Sequence, residues 1–359
     1  MKEFVSFSML LASQLLLNFK IAAQSVPEDS VRFDYDKIYS YCLNADVTPV
    51  LSLIAWDQKR KIAARDLEFK RKFEDRFKLQ TDSIISFHNE GSGTEKLLNI
   101  FQHYWRISLL DTSKVYAPEL EHDLTAFLVG QFPGLKPETI NDDSMSLYLS
   151  RFIESNRLHT TAAIGKTGRL YDLLIWRTEK DSMYTFLVGN ERISARVVMM
   201  GDFITLGWEE YATLGRYFPG GWTTEQSLYC VENAYDLNSE DFQISYLAHE
   251  SRHFKDLKLF PGLSGDTLEY RAKLTELSLA KQTIYSLIDL FIKNAWQKSG
   301  NAHSMADYQV IHHLSVMFFH TAFEKNIAKW KTQNILKINH AAQKLLRKNT
   351  KELFHKRGR

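Results

Sequence analysis

Residues 245–254 read Ser-Tyr-Leu-Ala-His-Glu-Ser-Arg-His-Phe, and within them His249, Glu250 and His253 form a His-Glu-x-x-His pattern. On an α-helix, positions four apart project from one face, one turn above the other. The pattern restricts the fold because imidazoles and a carboxylate on a buried face must find partners there. Two imidazoles so placed can offer nitrogens to one Zn²⁺, and the Glu beside the first can reach water at the metal. With 12 His in 359 residues, the spacing arises by accident in about two shuffles in a hundred. The flanks predict a helix. Asn238-Ser239-Glu240-Asp241 supplies a cap and first-turn acids, and Ile244, Leu247, Ala248, Phe254 and Leu257 recur at helical spacing. Phe260-Pro261-Gly262 ends it.

A catalytic zinc takes three protein ligands and keeps one position for water. Glu269 is the expected third ligand, 16 residues beyond His253, across a Pro/Gly turn and near the start of the next helix. Ala272, one turn on, is small enough for close helix approach. Glu276, two turns along the same face, is the alternative ligand. The plain structural reading makes Asp266-x-x-Glu269 a capping box. An oxyanion donor could be Tyr270, Tyr308, His312, His313 or His320, and the sequence selects none of them.

Together, His249-Glu250-x-x-His253 and a Glu on the following helix resemble the gluzincin zinc metallopeptidases, of which thermolysin-like enzymes are the familiar case. The resemblance covers residues 193–280. It implies a zincin-like metallopeptidase domain in which His249, His253 and Glu269 bind zinc and Glu250 is the general base. The implied reaction is metal-assisted hydrolysis of a peptide or protein substrate. Two positions depart from the family pattern. Arg252 puts a charge inside the motif, and Lys273 stands where several members carry an Asp that orients a ligand histidine. That orienting acid must then be Asp256 or Glu276, with Arg252 paired to either. A second reading is a non-catalytic exported binding protein with a structural or degenerate zinc site, which a fourth protein ligand would mark.

Composition fits an ordinary globular chain, 44 % apolar and 25 % charged, long enough for one large or two ordinary domains. The expected class is α+β, mostly α-helical, with a small antiparallel sheet. Residues 1–23 read as a signal peptide: Lys2, an apolar run over 4–17, then Ile21-Ala22-Ala23-Gln24 as a cleavage site, implying export to a periplasmic or extracellular space. Residues 24–160 read as a helical N-terminal region, 161–325 as the catalytic domain and 326–359 as a basic C-terminal helix. No segment is apolar over the ~18 residues a membrane-spanning helix requires. Cys42 and Cys230 exclude a CxxC metal site, and whether they pair stays open.

Phe69, Phe73 and Phe77 mark a helix over 65–78, followed by a loop over 88–94 and helices over 95–110, 118–131 and 144–157. Strands are expected over 170–176, 184–188 and 193–200, with Gly189-Asn190 as a turn and a short helix over 207–215. Phe218-Pro219-Gly220-Gly221-Trp222 reads as a loop, and helices follow over 267–298, 304–323 and 328–354. The net charge of +2 conceals a tail with 11 Lys+Arg against 2 Asp+Glu from Ala322 onward. The favoured reading of that tail is a solvated helix face packed through Trp330, Leu336, Ile338, Leu345 and Leu346. A membrane surface is the less favoured partner, and no motif points to nucleic acid.

Overall fold

The computed structural model describes residues 33–55, 63–80, 92–160, 165–223, 227–295 and 302–357. The expected signal peptide and most of the 88–94 loop lie outside the described residues. The chain packs as two units, one formed by Met1–Glu179 with Met200–Pro219, the other by Lys180–Met199 with Gly220–Arg359. The described residues are mostly helical with a small antiparallel sheet, an α+β arrangement.

In the first unit, helices α1 (Tyr35–Leu43), α2 (Thr48–Leu53), α3 (Ala64–Glu74), α4 (Ser92–Leu110), α5 (Ala117–Gln131) and α6 (Asp142–Ser155) precede a small hairpin, β1 (Gly165–Thr167) and β2 (Leu170–Asp172). The phenylalanine spacing holds. Phe73 and Phe77 are buried and Phe69 packs beside them, although the last turn widens to a π-helical coil over Asp75–Leu79. Asn141 and Ser144 close α6 with a reciprocal capping box. Two long strands, β3 (Leu174–Val188) and β4 (Glu191–Leu206), run through both units and join at Gly189-Asn190, where Gly189 takes φ +62°. The short helix α7 (Trp208–Ala212) follows β4.

Two strand expectations need correcting. Residues 174–176 and 184–188 belong to one strand, because the polar stretch between them stays extended with its side chains exposed. The sheet also has two strands that the loop signals hid, β5 (Gly221–Thr223) and β6 (Leu228–Val231), in the order β3-β4-β6-β5. Gly221 opens an edge strand instead of breaking one. A Cβ there would sit 2.3 Å from the Tyr229 carbonyl and 2.5 Å from the Tyr246 hydroxyl, so glycine is needed for close approach.

The second unit holds the motif helix. A π-helical coil over Asp241–Ala248 leads into α8 (His249–Leu259), then α9 (Gly265–Leu279), α10 (Ile284–Asn294), α11 (Ala302–Phe319), α12 (Ile327–Trp330) and α13 (Ile335–Arg357). Ser239 caps the coil by accepting from the Phe242 N–H at 3.1 Å. The single helix expected over 267–298 breaks after Leu279. The Glu240 carboxylate accepts from the N–H groups of Lys281, Gln282 and Thr283 at 2.9–3.1 Å, capping α10 from 41 residues or more away in sequence. Asn339 donates to the carbonyls of Leu277 and Ala280 and closes the end of α9. The last expected helix also divides: Asn334 caps α13, accepting from Leu336 and Lys337. The tail packs through Trp330, Ile338, Ala341, Ala342 and Leu346, whereas Leu336 is exposed. Cys42 and Cys230 are both free and buried. Among the described residues no helix is long and apolar enough to cross a membrane.

A candidate metal centre on two buried helices

Helix α8 reverses the usual arrangement. His249, Glu250, Ser251, Arg252, His253 and Asp256 are buried, while Leu257 of the expected apolar stripe is exposed. Its neighbour α9 is buried along its middle, including Glu269, Arg271, Lys273 and Glu276. Charged groups in such a place need partners, and the two helices supply them to each other. Arg271 pairs with Asp256 through two hydrogen bonds, at 2.7 and 2.9 Å. Arg252 donates to Thr275 at 3.0 Å and bidentately to Glu191 at 3.0 and 2.8 Å. Its expected partners are therefore corrected. Glu191, which the sequence reading did not single out, is the main one, Asp256 stands at 3.7 Å, and Glu276 is engaged elsewhere. Burial favours the neutral form of Glu191, but Arg252 and Lys255 outweigh it and hold its carboxyl down at about 2.

One ligand-capable atom from each of His249, His253 and Glu269 lies within 4.8 Å of the others, a cluster that could hold a metal ion. His253 Nε2 stands 2.9 Å from His249 Nε2. Glu269 Oε1 stands 3.2 Å from His253 Nε2, and Oε2 3.5 Å from His249 Nε2. Neither oxygen of Glu269 accepts from a backbone or hydroxyl donor, and histidine ring nitrogens approach it instead, although the residue is 1 % exposed. The ring nitrogens of His249 and His253 face the carboxylate and one another. A cation among these atoms would satisfy the orphaned oxygens, so the residues present fit a metal. The capping-box reading of Glu269 fails, since its carboxylate lies in the cluster and Ser264 is the α9 N-cap.

Glu276 takes a different place. Its Oε1 meets His249 Nδ1 at 2.6 Å, on the other side of the ring from the Nε2 that faces the cluster. A carboxylate there fixes the hydrogen on Nδ1 and leaves Nε2 for a ligand role, the arrangement that orients metal-binding histidines. Of the two acids expected for this task, the structure brings Glu276 to the histidine and commits Asp256 to Arg271. Burial works against the His249 imidazolium, but Glu276 and Glu269 outweigh it and raise its pKa to about 10, so a cation held at Nε2 would take the place of a proton there. Burial would likewise raise the Glu269 carboxyl, yet its contacts with His249, His253 and His303 pull it far below the carboxylate range. Lys273, at the second departure from the family pattern, pairs with Asp307 at 2.9 Å.

Glu250 is 2 % exposed. Four of the five oxyanion candidates contact one another or the backbone: Tyr270 hydroxyl with His313 Nδ1 at 2.9 Å, Tyr308 stacked on His312, and His312 Nδ1 with the Ala322 carbonyl at 2.6 Å. Two tyrosines absent from that set, Tyr235 and Tyr246, feel the Glu250 charge. Burial first, and then Cys230 and Glu250, raise both hydroxyls well above their ordinary value. The other missed residue is His303 at the start of α11, whose Nδ1 lies 2.8 Å from Glu269 Oε2. It stands 34 residues beyond Glu269 with no motif around it, so spacing carries no signal for it. Comparison with protein-family models, curated proteins and solved structures finds no match to this chain.

Proposed function

We propose that the protein is an exported zinc metallopeptidase of gluzincin type, with His249, His253 and Glu269 as ligands and Glu250 as general base. One observation carries the reading: the Glu269 carboxylate is buried with no backbone or hydroxyl donor on either oxygen, amid the two imidazoles of the motif. Two nitrogens and a carboxylate oxygen are a catalytic zinc's donor set. Zinc held there supplies Lewis acidity, acidifying water and polarising a peptide carbonyl. The residues of the chain do the rest. Glu276 holds the His249 ring with Nε2 toward the cluster. Glu250 takes a proton from the attacking water and passes it to the leaving amine. The substrate class is a peptide or protein, and the leader-like residues 1–23 support export.

The burial of Glu250 and its neighbours favours a second reading, a non-catalytic exported binding protein with a closed zinc site. One experiment separates the two. Metal content is measured for the mature protein, His249→Ala and Glu250→Gln, alongside hydrolysis of a mixed peptide library. The peptidase reading expects one zinc in the wild type and in Glu250→Gln, none in His249→Ala, and cleavage by the wild type alone. Loss of a general base lowers the rate by about 10²–10⁴-fold. Equal cleavage by Glu250→Gln removes the role given to that residue, and zinc without cleavage in the wild type selects the second reading.

A further inference from the structure

Glu269 is approached from two helices. His249 and His253 reach it from α8, and His303 reaches it from α11. The third contact is built into how α11 lies on α9. Gly265, the first residue of α9, carries no side chain where Ala302, the first residue of α11, comes nearest; a Cβ there would stand 3.3 Å from that of Ala302. One turn further along both helices, Lys273 meets Asp307 at 2.9 Å, and both are buried. Residues 269 and 273 share a face of α9, as 303 and 307 share a face of α11, so the two contacts fix the register of one helix against the other. Leu274 and Leu277 from α9 fill one core with Ala306, Val310 and Ile311 from α11. The His303 side chain keeps 29 % of its surface exposed, against 1 % for Glu269.

We propose that His303 is a positioning residue for Glu269, its imidazole holding the carboxylate turned toward His249 and His253, so that α11 is the third helix of the metal centre. The inference rests on the zinc reading above. A glutamate reaches a metal through several rotatable bonds, and of the ring nitrogens around this carboxylate His303 Nδ1 stands nearest, 2.8 Å from Oε2. Outer partners of this kind set ligand geometry, and removing one lowers metal affinity by about 10–100-fold.

The test uses the full chain and reads binding instead of turnover. Zn²⁺ affinity is measured by competition with a chromophoric chelator, and the visible absorption of the Co²⁺ form is recorded, for the wild type, His303→Ala and His303→Asn. His303→Ala is expected to bind about 10–100-fold more weakly with the Co²⁺ bands unchanged in position and intensity. His303→Asn, which keeps an N–H donor close to the place of Nδ1, is expected to recover most of the loss. Affinity of His303→Ala within about twofold of wild type, or a folded His303→Asn as weak as the alanine variant, overturns the proposal. So does a change of coordination number in the Co²⁺ bands of His303→Ala, which would make His303 a ligand. A wild type that takes up neither ion defeats the zinc reading itself. A wild type that binds as tightly as its alanine variant defeats only the role of His303.

Discussion

Asp172 in the first unit and Glu269 in the second are both acids sealed from solvent, at 2 % and 1 % exposure, yet their surroundings differ completely. Asp172 accepts from Thr167 Oγ1 at 2.9 Å, the Trp208 N–H at 2.9 Å and the Leu173 N–H at 3.1 Å. It ties the β1–β2 hairpin to the start of α7. The fit is close enough that Gly207, at φ +93°, could not carry a Cβ, which would lie 2.1 Å from Asp172 Oδ1. Glu269 has no backbone or hydroxyl donor on either oxygen and is surrounded by ring nitrogens. A buried acid that holds a fold together is satisfied by fixed donors, whereas one that serves a site keeps capacity for something else.

Exchanging the readouts is the strongest way to break this comparison. Glu269→Ala should weaken zinc binding by more than the roughly 100-fold expected for an outer partner. Asp172→Ala should leave zinc affinity within about twofold, but lose roughly 3 kcal/mol or more of stability in urea unfolding, because three donors lose their acceptor. If Asp172→Ala costs metal affinity, or Glu269→Ala leaves it intact, the two acids are not the different devices drawn here.

A smaller effect sharpens the difference through pH. Burial raises the Asp172 carboxyl from 3.8 to about 6, and burial helped by the Asp172 charge raises Glu209 from 4.5 to about 7. The folded chain therefore binds these protons more tightly than the unfolded chain. Their contribution to stability is complete below about pH 4 and is lost as pH rises through about 6 to 7. In urea unfolding between about pH 4.5 and 7.5, Glu209→Gln should remove part of that decline, on the order of 2–3 kcal/mol. Identical pH dependence in wild type and variant would refute it. The smallest effect is a control. Glu68 makes an exposed i,i+4 pair with Lys72 at 2.7 Å, and Glu68→Gln should leave both zinc affinity and the unfolding midpoint unchanged within error, since solvent screens such pairs.

What could be read from the chain was what local chemistry enforces. The Phe69-Phe73-Phe77 helix, the Gly189-Asn190 turn, the Ser239 cap and the stop at Phe260-Pro261-Gly262 all follow from contacts within a few residues. The pairing of His249 with His253 belongs with them, because one turn of helix brings the two rings together. Glu269 was legible as ligand chemistry at a suitable distance, although spacing alone could not choose between it and Glu276. Tertiary structure turns Glu269 to Nε2 of the pair, within the cluster that could hold a metal, and Glu276 to Nδ1 of His249. It also decided where α9 stops, since the groups that cap α10 and close α9 are Glu240 and Asn339, far away in sequence. Pairing Arg252 with Glu191 and bringing His303 from α11 to Glu269 were likewise tertiary decisions. The physical reason is the same in each case. Periodicity and capping are local and leave a mark in the sequence, whereas a buried charge finds its partner through the packing of distant helices, which no spacing records.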